Sequence, residues 1–306
     1  MAKSLVARAP TLALRVVPPI VGVAFWAVRH QQRAGARRNH AMIRGKADTL
    51  GDVRGSVGTF IAFARSFAEG FAALSHRRDE VVLTVENERV LFDAVGAEKG
   101  CILLTAHTSS FEVAAAGLVR ALGAPVVMAM RREPNAAGRE VQDAVRRGAG
   151  LSIVHVDEDP LSALELARQL RAGATVGLQI DRVPAGVRGV SVRLFDRPGQ
   201  LPLGPFALAR ATGAPLITCF TRRLGFLEVR IRASEAVYVS RRASAAEIEC
   251  AAQRVADELT EWVREAPTEW LDWGEDRAPS EPSSSRAAWQ RERDAAGAGQ
   301  QPDPRG

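Results

Sequence analysis

The chain has 306 residues, of which 46% are hydrophobic, enough for one large domain or two small ones with a sizeable core. Its formal net charge of +6 predicts an anionic partner, such as nucleic acid, anionic lipid or an acidic carrier protein. A single tyrosine and the lack of a basic cluster interleaved with aromatic residues argue against nucleic acid. The three cysteines, Cys101, Cys219 and Cys250, are too widely spaced for a disulfide framework or a metal site and fit a reducing compartment.

Residues 1–47 contain basic but no acidic side chains, and they include an apolar run, Val16–Val28, with arginines on both sides. The run is shorter than the about 20 residues that span a bilayer, and the Pro18–Pro19 pair would kink a helix. These features favour an anchor that lies in the membrane interface, or is half inserted, with its arginines on anionic headgroups at the cytoplasmic side. The alternatives are an amphipathic core helix and a signal peptide, although the cleavage pattern of the latter is weak.

Phenylalanines recur at helical spacing between Asp52 and Ser75, which predicts a helix with one aromatic stripe. The stripe consists of Phe60, Phe63, Phe67, Phe71 and Leu74. Such a stripe most often packs in a protein core. It would also suit an acyl-chain groove or a contact with the bilayer, and the sequence does not separate these functions.

From Val81 onward, strand-like apolar runs alternate with helical segments. The predicted strands are Val81–Val85, Cys101–Ala106, Pro125–Met130, Leu151–Val156, Thr175–Ile180, Val190–Phe195, Pro215–Phe220 and Leu227–Ile231. The alternation predicts an α/β fold, in which a mostly parallel central sheet is flanked by helices and preceded by the N-terminal membrane-associated helical region. We expect an anchor region over residues 1–45, a main domain over residues 46–277 and a disordered tail over residues 278–306.

A histidine and a glutamate stand where open α/β sheets place their sites, beyond the carboxyl end of a strand. The run Cys101–Ala106 ends at His107, and Glu112 falls in the first turn of the helix that follows. An imidazole held by a carboxylate can take a proton from a hydroxyl, because the carboxylate fixes its tautomer and stabilises the imidazolium. The alternative is a surface histidine near a helix-capping glutamate.

The segment Cys101–Glu112, C-I-L-L-T-A-H-T-S-S-F-E, resembles the H-x4-[DE] motif of the lysophospholipid acyltransferase superfamily. The variant of the motif that ends in glutamate resembles that of the bacterial lipid A biosynthesis acyltransferases. The similarity of the chain to this family runs from about Leu12 to Trp273. The resemblance implies that His107 is the general base and Glu112 its partner. The acyl group would pass directly from a thioester on acyl carrier protein or coenzyme A to a hydroxyl of a membrane lipid, without a cofactor, at the cytoplasmic face of the bacterial inner membrane.

Arginines follow another predicted strand, at Arg131 and Arg132, and Asn135 lies close behind them. Arginines in this position can bind phosphate or stabilise an oxyanion, although a solvated arginine pair has the same pattern. The family has an arginine and often an asparagine here. The resemblance therefore implies that Arg131 or Arg132, with Asn135, binds substrate.

Asp181 and Arg182 follow the strand Thr175–Ile180, where the family has a similar aspartate. Asp181 would bind the polar head of the acceptor or hold Arg182 in place, and the alternative is a turn-forming aspartate. The string F-P-E-G-T-R of superfamily members that act on lysophosphatidic acid is absent, which favours a saccharide lipid over a glycerol phosphate acceptor.

The segment Pro267–Trp273 is similar to the Pro-plus-Trp segment of the family, but Gly274-Glu275-Asp276-Arg277 stands where the family has histidine and arginines. The acceptor need therefore not be lipid A itself. The sequence predicts an acyltransferase that meets an acyl thioester, a lipid acceptor and an anionic membrane surface, but not nucleic acid. Two other classes stay open: a hydrolase that uses the same His–Glu pair on water, and a non-catalytic protein that binds a membrane or nucleic acid through a basic surface.

Overall fold

The computed structural model describes residues 10–96, 99–123, 126–132, 135–156, 160–184 and 186–274, so the predicted tail over residues 278–306 lies outside it. The helices are α1 (Thr11–Val28), α2 (His30–Arg44), α3 (Thr49–Ala73), α4 (Glu88–Val95), α5 (Phe111–Leu122), α6 (Ala136–Gly148), α7 (Pro160–Arg171), α8 (Gly204–Thr212) and α9 (Ala245–Glu265). The strands are β1 (Val82–Glu86), β2 (Cys101–Thr105), β3 (Val126–Met130), β4 (Leu151–His155), β5 (Thr175–Gln179), β6 (Gly189–Leu194), β7 (Arg197–Pro202), β8 (Leu216–Gly225) and β9 (Glu228–Ala233).

The central sheet has the order β1-β9-β8-β2-β5-β3-β4, and only the β8–β9 pair is antiparallel. The predicted mostly parallel α/β sheet is thereby confirmed. The run Val190–Phe195 does form a strand, but it pairs with β7 in a separate hairpin. Strand β7 was not predicted, because Pro198 and Pro202 interrupt its pattern; such prolines are tolerated at a sheet edge.

The core lies on both faces of the sheet because apolar residues are continuous along its central strands. In β2, Cys101 and Leu103 point to the layer that contains α4 and α5, whereas Ile102 and Leu104 point to the layer that contains α7, α8 and α9. A strand buried on both faces is typical of a parallel sheet covered by helices. A binding or catalytic site is therefore expected at the strand ends, where loops replace the packed layers.

Helix α1 packs lengthwise on α3 and continues through Pro18 and Pro19. A Cβ atom at Gly22 would lie 2.7 Å from the Phe60 carbonyl oxygen, so glycine allows the two backbones to approach closely. The Trp26 indole also donates a hydrogen bond to Ser56 Oγ (2.9 Å). In the described part of the chain, α1 is the one helix that is long and apolar enough to cross a membrane, with a mean hydropathy of 1.8.

The aromatic stripe on α3 divides between two environments. Phe60 is buried and packs on Trp273, with ring centroids 4.6 Å apart. Phe63 and Phe67 are exposed on the side that faces α1. There they line an apolar groove of about 540 Å³ together with side chains of α1, such as Val17 and Phe25. The stripe is therefore partly core and partly the wall of a groove.

Candidate active site

The candidate site forms where two neighbouring parallel strands end. Strands β2 and β5 are paired in register, with Thr105 opposite Gln179. His107 and Asp181 each lie two residues beyond this pair, and they therefore come side by side at the carboxyl edge of the sheet. Open α/β sheets commonly bind their ligands at this edge.

His107 and Asp181 form a close pair. Nδ1 of His107 lies 2.8 Å from Oδ1 of Asp181, and the His107 backbone N–H donates to the same oxygen (3.1 Å). The Trp270 indole N–H donates to Oδ2 (2.9 Å). The Asp181 side chain is fully buried, whereas 30% of the His107 side chain is exposed. The aspartate is therefore fixed inside the protein, and the imidazole reaches the surface of the site.

The surroundings of Asp181 favour its ionised form. Burial by itself would raise the pKa of this carboxyl group, but the charge and hydrogen bond of His107, the charge of Arg182 and the Trp270 hydrogen bond together hold the pKa well below its usual range. An ionised Asp181 accepts a hydrogen bond from Nδ1–H of His107, which leaves the lone pair of Nε2 available. This tautomer is the one that a general base requires.

The turn after His107 is held by hydrogen bonds from several elements. Thr221 on β8 lies 2.7 Å from the Thr108 hydroxyl and donates to the Ser109 carbonyl oxygen (2.8 Å). Ser110 has a left-handed backbone conformation (φ 63°), and its N–H donates to Ser66 on α3 (2.8 Å). Non-glycine residues are uncommon in this conformation, so the bonded surroundings fix a turn that a free chain would seldom adopt.

A C-terminal segment, residues 269–272, which we call the strap, crosses the site. Its backbone pairs with the turn after His107: the Ser109 N–H donates to the Glu269 carbonyl oxygen (2.8 Å), and the Leu271 N–H donates to the His107 carbonyl oxygen (2.6 Å). Arg182 binds the strap from the other side, through the Leu271 carbonyl oxygen (2.8 Å) and the Asp272 carboxylate (3.3 Å). The strap therefore ties the end of β2 to the end of β5.

Glu112 lies in a different place from the one its predicted role required. Its carboxylate accepts a hydrogen bond from Arg146 on α6 (2.6 Å) and rests against Gly70 on α3, and no hydrogen bond joins it to His107 in the described chain. Because its charge is directed at Arg146, the carboxylate that orients His107 in this structure is that of Asp181. A contribution of Glu112 to catalysis stays a prediction.

The other predicted substrate-binding residues are spread along the same edge of the sheet. Arg131 and Arg132 are exposed beyond the end of β3, which neighbours β5. Asn135 caps α6, since its side chain accepts a hydrogen bond from the Gly138 N–H (3.0 Å). Arg182 is engaged with the strap. The substrate contacts expected of these residues stay predictions.

The known proteins that this chain resembles are acyltransferases. Residues 3–273 match the family model described as bacterial lipid A biosynthesis acyltransferase. The chain is 27% identical, over 255 residues, to the phosphatidylinositol mannoside acyltransferase of Mycolicibacterium smegmatis, and the match covers 81% of this chain and 80% of that protein. It is 25% identical, over 180 residues, to the phosphatidylinositol mannoside acyltransferase of Mycobacterium tuberculosis H37Rv, covering 58% of this chain and 54% of that protein.

The family match covers most of the sequence, including the ends of β2 and β5 and the strap. These similarities support an acyltransferase that acts on a lipid-like acceptor. The chain belongs to the bacterial lipid A biosynthesis acyltransferase family.

Proposed function

We propose that the protein transfers a fatty acyl group from a thioester of acyl carrier protein or coenzyme A to a sugar hydroxyl of a membrane glycolipid. The observation that carries the proposal is the His107–Asp181 pair, in which a buried carboxylate holds Nδ1 while the imidazole reaches the surface of the site. No described residue makes a hydrogen bond to Nε2 of His107, so this nitrogen is available to a substrate hydroxyl.

In the reaction, Nε2 of His107 takes the proton of the acceptor hydroxyl as its oxygen attacks the thioester carbonyl carbon. Asp181 stabilises the imidazolium that forms. The tetrahedral intermediate then collapses, the carbon–sulfur bond breaks, and the proton on His107 passes to the leaving sulfur. The products are an ester and a free thiol. General-base assistance of this kind contributes roughly 10²–10⁴-fold to the rate.

The negative charge of the intermediate, or the phosphate of the donor, needs positive partners. Arg131 and Arg132 are the exposed cations beyond β3, at the same edge of the sheet. The Ser110 N–H is already bonded to Ser66, which leaves the N–H groups of Phe111 and Glu112 at the start of α5, where a helix offers donors without carbonyl partners. We assign oxyanion or phosphate binding to these groups.

For the acceptor, we propose an anionic glycolipid related to a phosphatidylinositol mannoside rather than lipid A. Two relatives are named for that lipid class, and one of them aligns over most of this chain. A net charge of +6 suits a phosphate-bearing acceptor in an anionic membrane. The sequence after Trp273 also departs from that of the lipid A enzymes.

We propose that α1 lies in the membrane interface instead of spanning the bilayer. Its buried side is packed on α3, and α3 in turn holds the site through Ser66 and through the buried Glu69–Arg223 ion pair (2.9 Å). A spanning α1 would carry these charged groups toward the hydrocarbon, which is costly. An interfacial α1 buries its exposed apolar side chains, such as Ile20, at the cytoplasmic face of the inner membrane.

Reconstitution tests the reaction. The purified protein is mixed with acyl coenzyme A or acyl carrier protein and with vesicles that contain phosphatidylinositol mannoside, a lipid A precursor or neither. Mass spectrometry should detect an acylated glycolipid only with the mannoside and only with His107 intact. Free fatty acid in equal yield with and without acceptor would identify a hydrolase, and acylation of the lipid A precursor alone would overturn the proposed acceptor.

A matched pair of substitutions tests the anchor. Ile20 on α1 and Leu164 on α7 are similarly exposed, at 63% and 66%. Ile20→Glu should release the protein from anionic vesicles in a flotation assay, whereas Leu164→Glu should not. High salt should release a smaller fraction of the wild-type protein from the vesicles than the Ile20→Glu substitution does, because salt does not screen the burial of apolar side chains. Equal flotation of both variants would exclude α1 as the membrane-contacting surface.

A further inference from the structure

Trp270 joins the strap to the buried carboxylate of the site. The residue is 3% exposed, and its indole packs on Phe195, with ring centroids 5.3 Å apart. Its N–H donates to Oδ2 of Asp181 (2.9 Å), and its backbone forms an antiparallel bridge with Thr108. One residue therefore contacts both the turn that carries His107 and the aspartate that holds it.

The two oxygens of Asp181 have separate tasks. Oδ1 accepts hydrogen bonds from the backbone and from Nδ1 of His107, whereas Oδ2 accepts from Trp270. A carboxylate held at one oxygen only can rotate about its carbon–carbon bond, and its direction toward the imidazole is then loose. The bond to Oδ2 removes that freedom, and bonds to an ionised acceptor are among the strongest in proteins.

We infer that Trp270 is a positioning residue for acyl transfer, whose indole N–H fixes Asp181 so that His107 is held in the tautomer with its proton on Nδ1. The inference rests on the proposed function for its catalytic consequence, but the tautomer is a property of the folded protein alone. The strap therefore contributes to the geometry of the site and also connects the ends of β2 and β5.

The test compares Trp270→Phe with Trp262→Phe. Phenylalanine keeps an aromatic ring against Phe195 but has no N–H to donate. Trp262 on α9 is equally buried, at 2% exposed, and packs on Phe220, but no hydrogen bond in the described chain joins its indole to His107 or Asp181, so its replacement controls for the loss of a buried indole. Histidine-labelled protein reports the tautomer through its ring-nitrogen chemical shifts, and the His107 signals are assigned by their loss in His107→Ala.

In Trp270→Phe, we expect the tautomer with the proton on Nδ1 to become mixed and kcat to fall roughly 10- to 100-fold, with KM for donor and acceptor changed by less than about twofold. Trp262→Phe should keep the wild-type tautomer and kcat. An unchanged tautomer in Trp270→Phe overturns the inference even if kcat falls, and so does a wild-type kcat. If wild type acylates no acceptor, the proposed function fails, and the tautomer alone still decides whether Trp270 positions His107.

Discussion

Two acidic side chains near the start of α5 occupy contrasting surroundings. Asp181 is fully buried at the end of β5 and accepts hydrogen bonds from His107 and Trp270. Glu112 lies at the junction of α3, α5 and α6, where it is 17% exposed and paired with Arg146. Although Glu112 is the nearer of the two to His107 in sequence, Asp181 is its partner in space. In a parallel sheet, the order of the strands decides which side chains meet at the carboxyl edge.

The local geometry explains the difference. The turn through Ser110 starts α5 in a direction that places Glu112 against α3. A Cβ atom at Gly70 would lie 2.6 Å from the Glu112 carboxylate, so glycine is what allows α3 to approach this closely. Glu112 thereby joins three helices through Arg146, while the register of β2 and β5 brings Asp181 to the imidazole.

The largest effect is expected at the histidine. His107→Ala should lower the transfer rate roughly 10²–10⁴-fold, because the general base is lost, and the partly exposed side chain leaves no large cavity behind. His155→Ala is the matched control, since His155 ends β4, the outermost strand of the sheet and three strands away from β2, where its ring is hydrogen-bonded to Asp143 (2.9 Å). Initial rates and melting curves of both proteins provide the measurement. Near-normal turnover by a folded His107→Ala protein would show that the active site does not lie at this edge of the sheet.

The next effect separates the two carboxylates. Asp181→Asn should lower kcat on the order of 10²-fold with little change in KM, since its charge stabilises the imidazolium that forms in the transition state. Glu112→Gln should lower kcat by less, because the Glu112 carboxylate is paired with Arg146 and not with His107. Steady-state kinetics with varied acceptor compares them. The reverse ranking would return the supporting role to Glu112 and imply that the helix junction rearranges when substrate binds.

Much of the fold was predictable because the central strands are short apolar runs bounded by turn residues. The position of His107 at a strand end followed from the same pattern, and Asp181 was also placed at a strand end. The pairing of Asp181 with His107 was not predictable, because the sequence of the strand Thr175–Gln179 does not indicate that β5 lies beside β2 in the sheet. The role of Trp270 was hidden for the same reason, since the strap contacts the site across long separations in sequence.

The Glu112–Arg146 pair should matter mainly for stability. Glu112→Gln leaves the buried guanidinium of Arg146 without its counter-charge, and we expect a loss of about 1–3 kcal/mol in the free energy of unfolding. Arg146→Met in the same protein should restore part of that loss, because the guanidinium, whose Nε is already buried without a partner, is then removed. Denaturant titrations of wild type, both single variants and the double variant measure the coupling. Additive losses would show that the two side chains do not interact in solution.

The smallest effect is the dependence of stability on acid. Since the pKa of Asp181 is lower in the folded protein than in the unfolded chain, its contribution to stability is present above the unfolded value of about 3.9 and is lost as the pH falls below it. Between that value and the folded pKa, the contribution should fall by up to about 1.4 kcal/mol for each pH unit. Asp181→Asn has no charge to lose at this position, so its stability should decline less steeply in acid than that of wild type. The other carboxyl groups titrate in both proteins, and the difference between their denaturant midpoints at successive pH values therefore isolates Asp181. Parallel curves would mean that Asp181 gains no more from its neighbours in the folded protein than it does from water, and the buried carboxylate could then not be the support of His107.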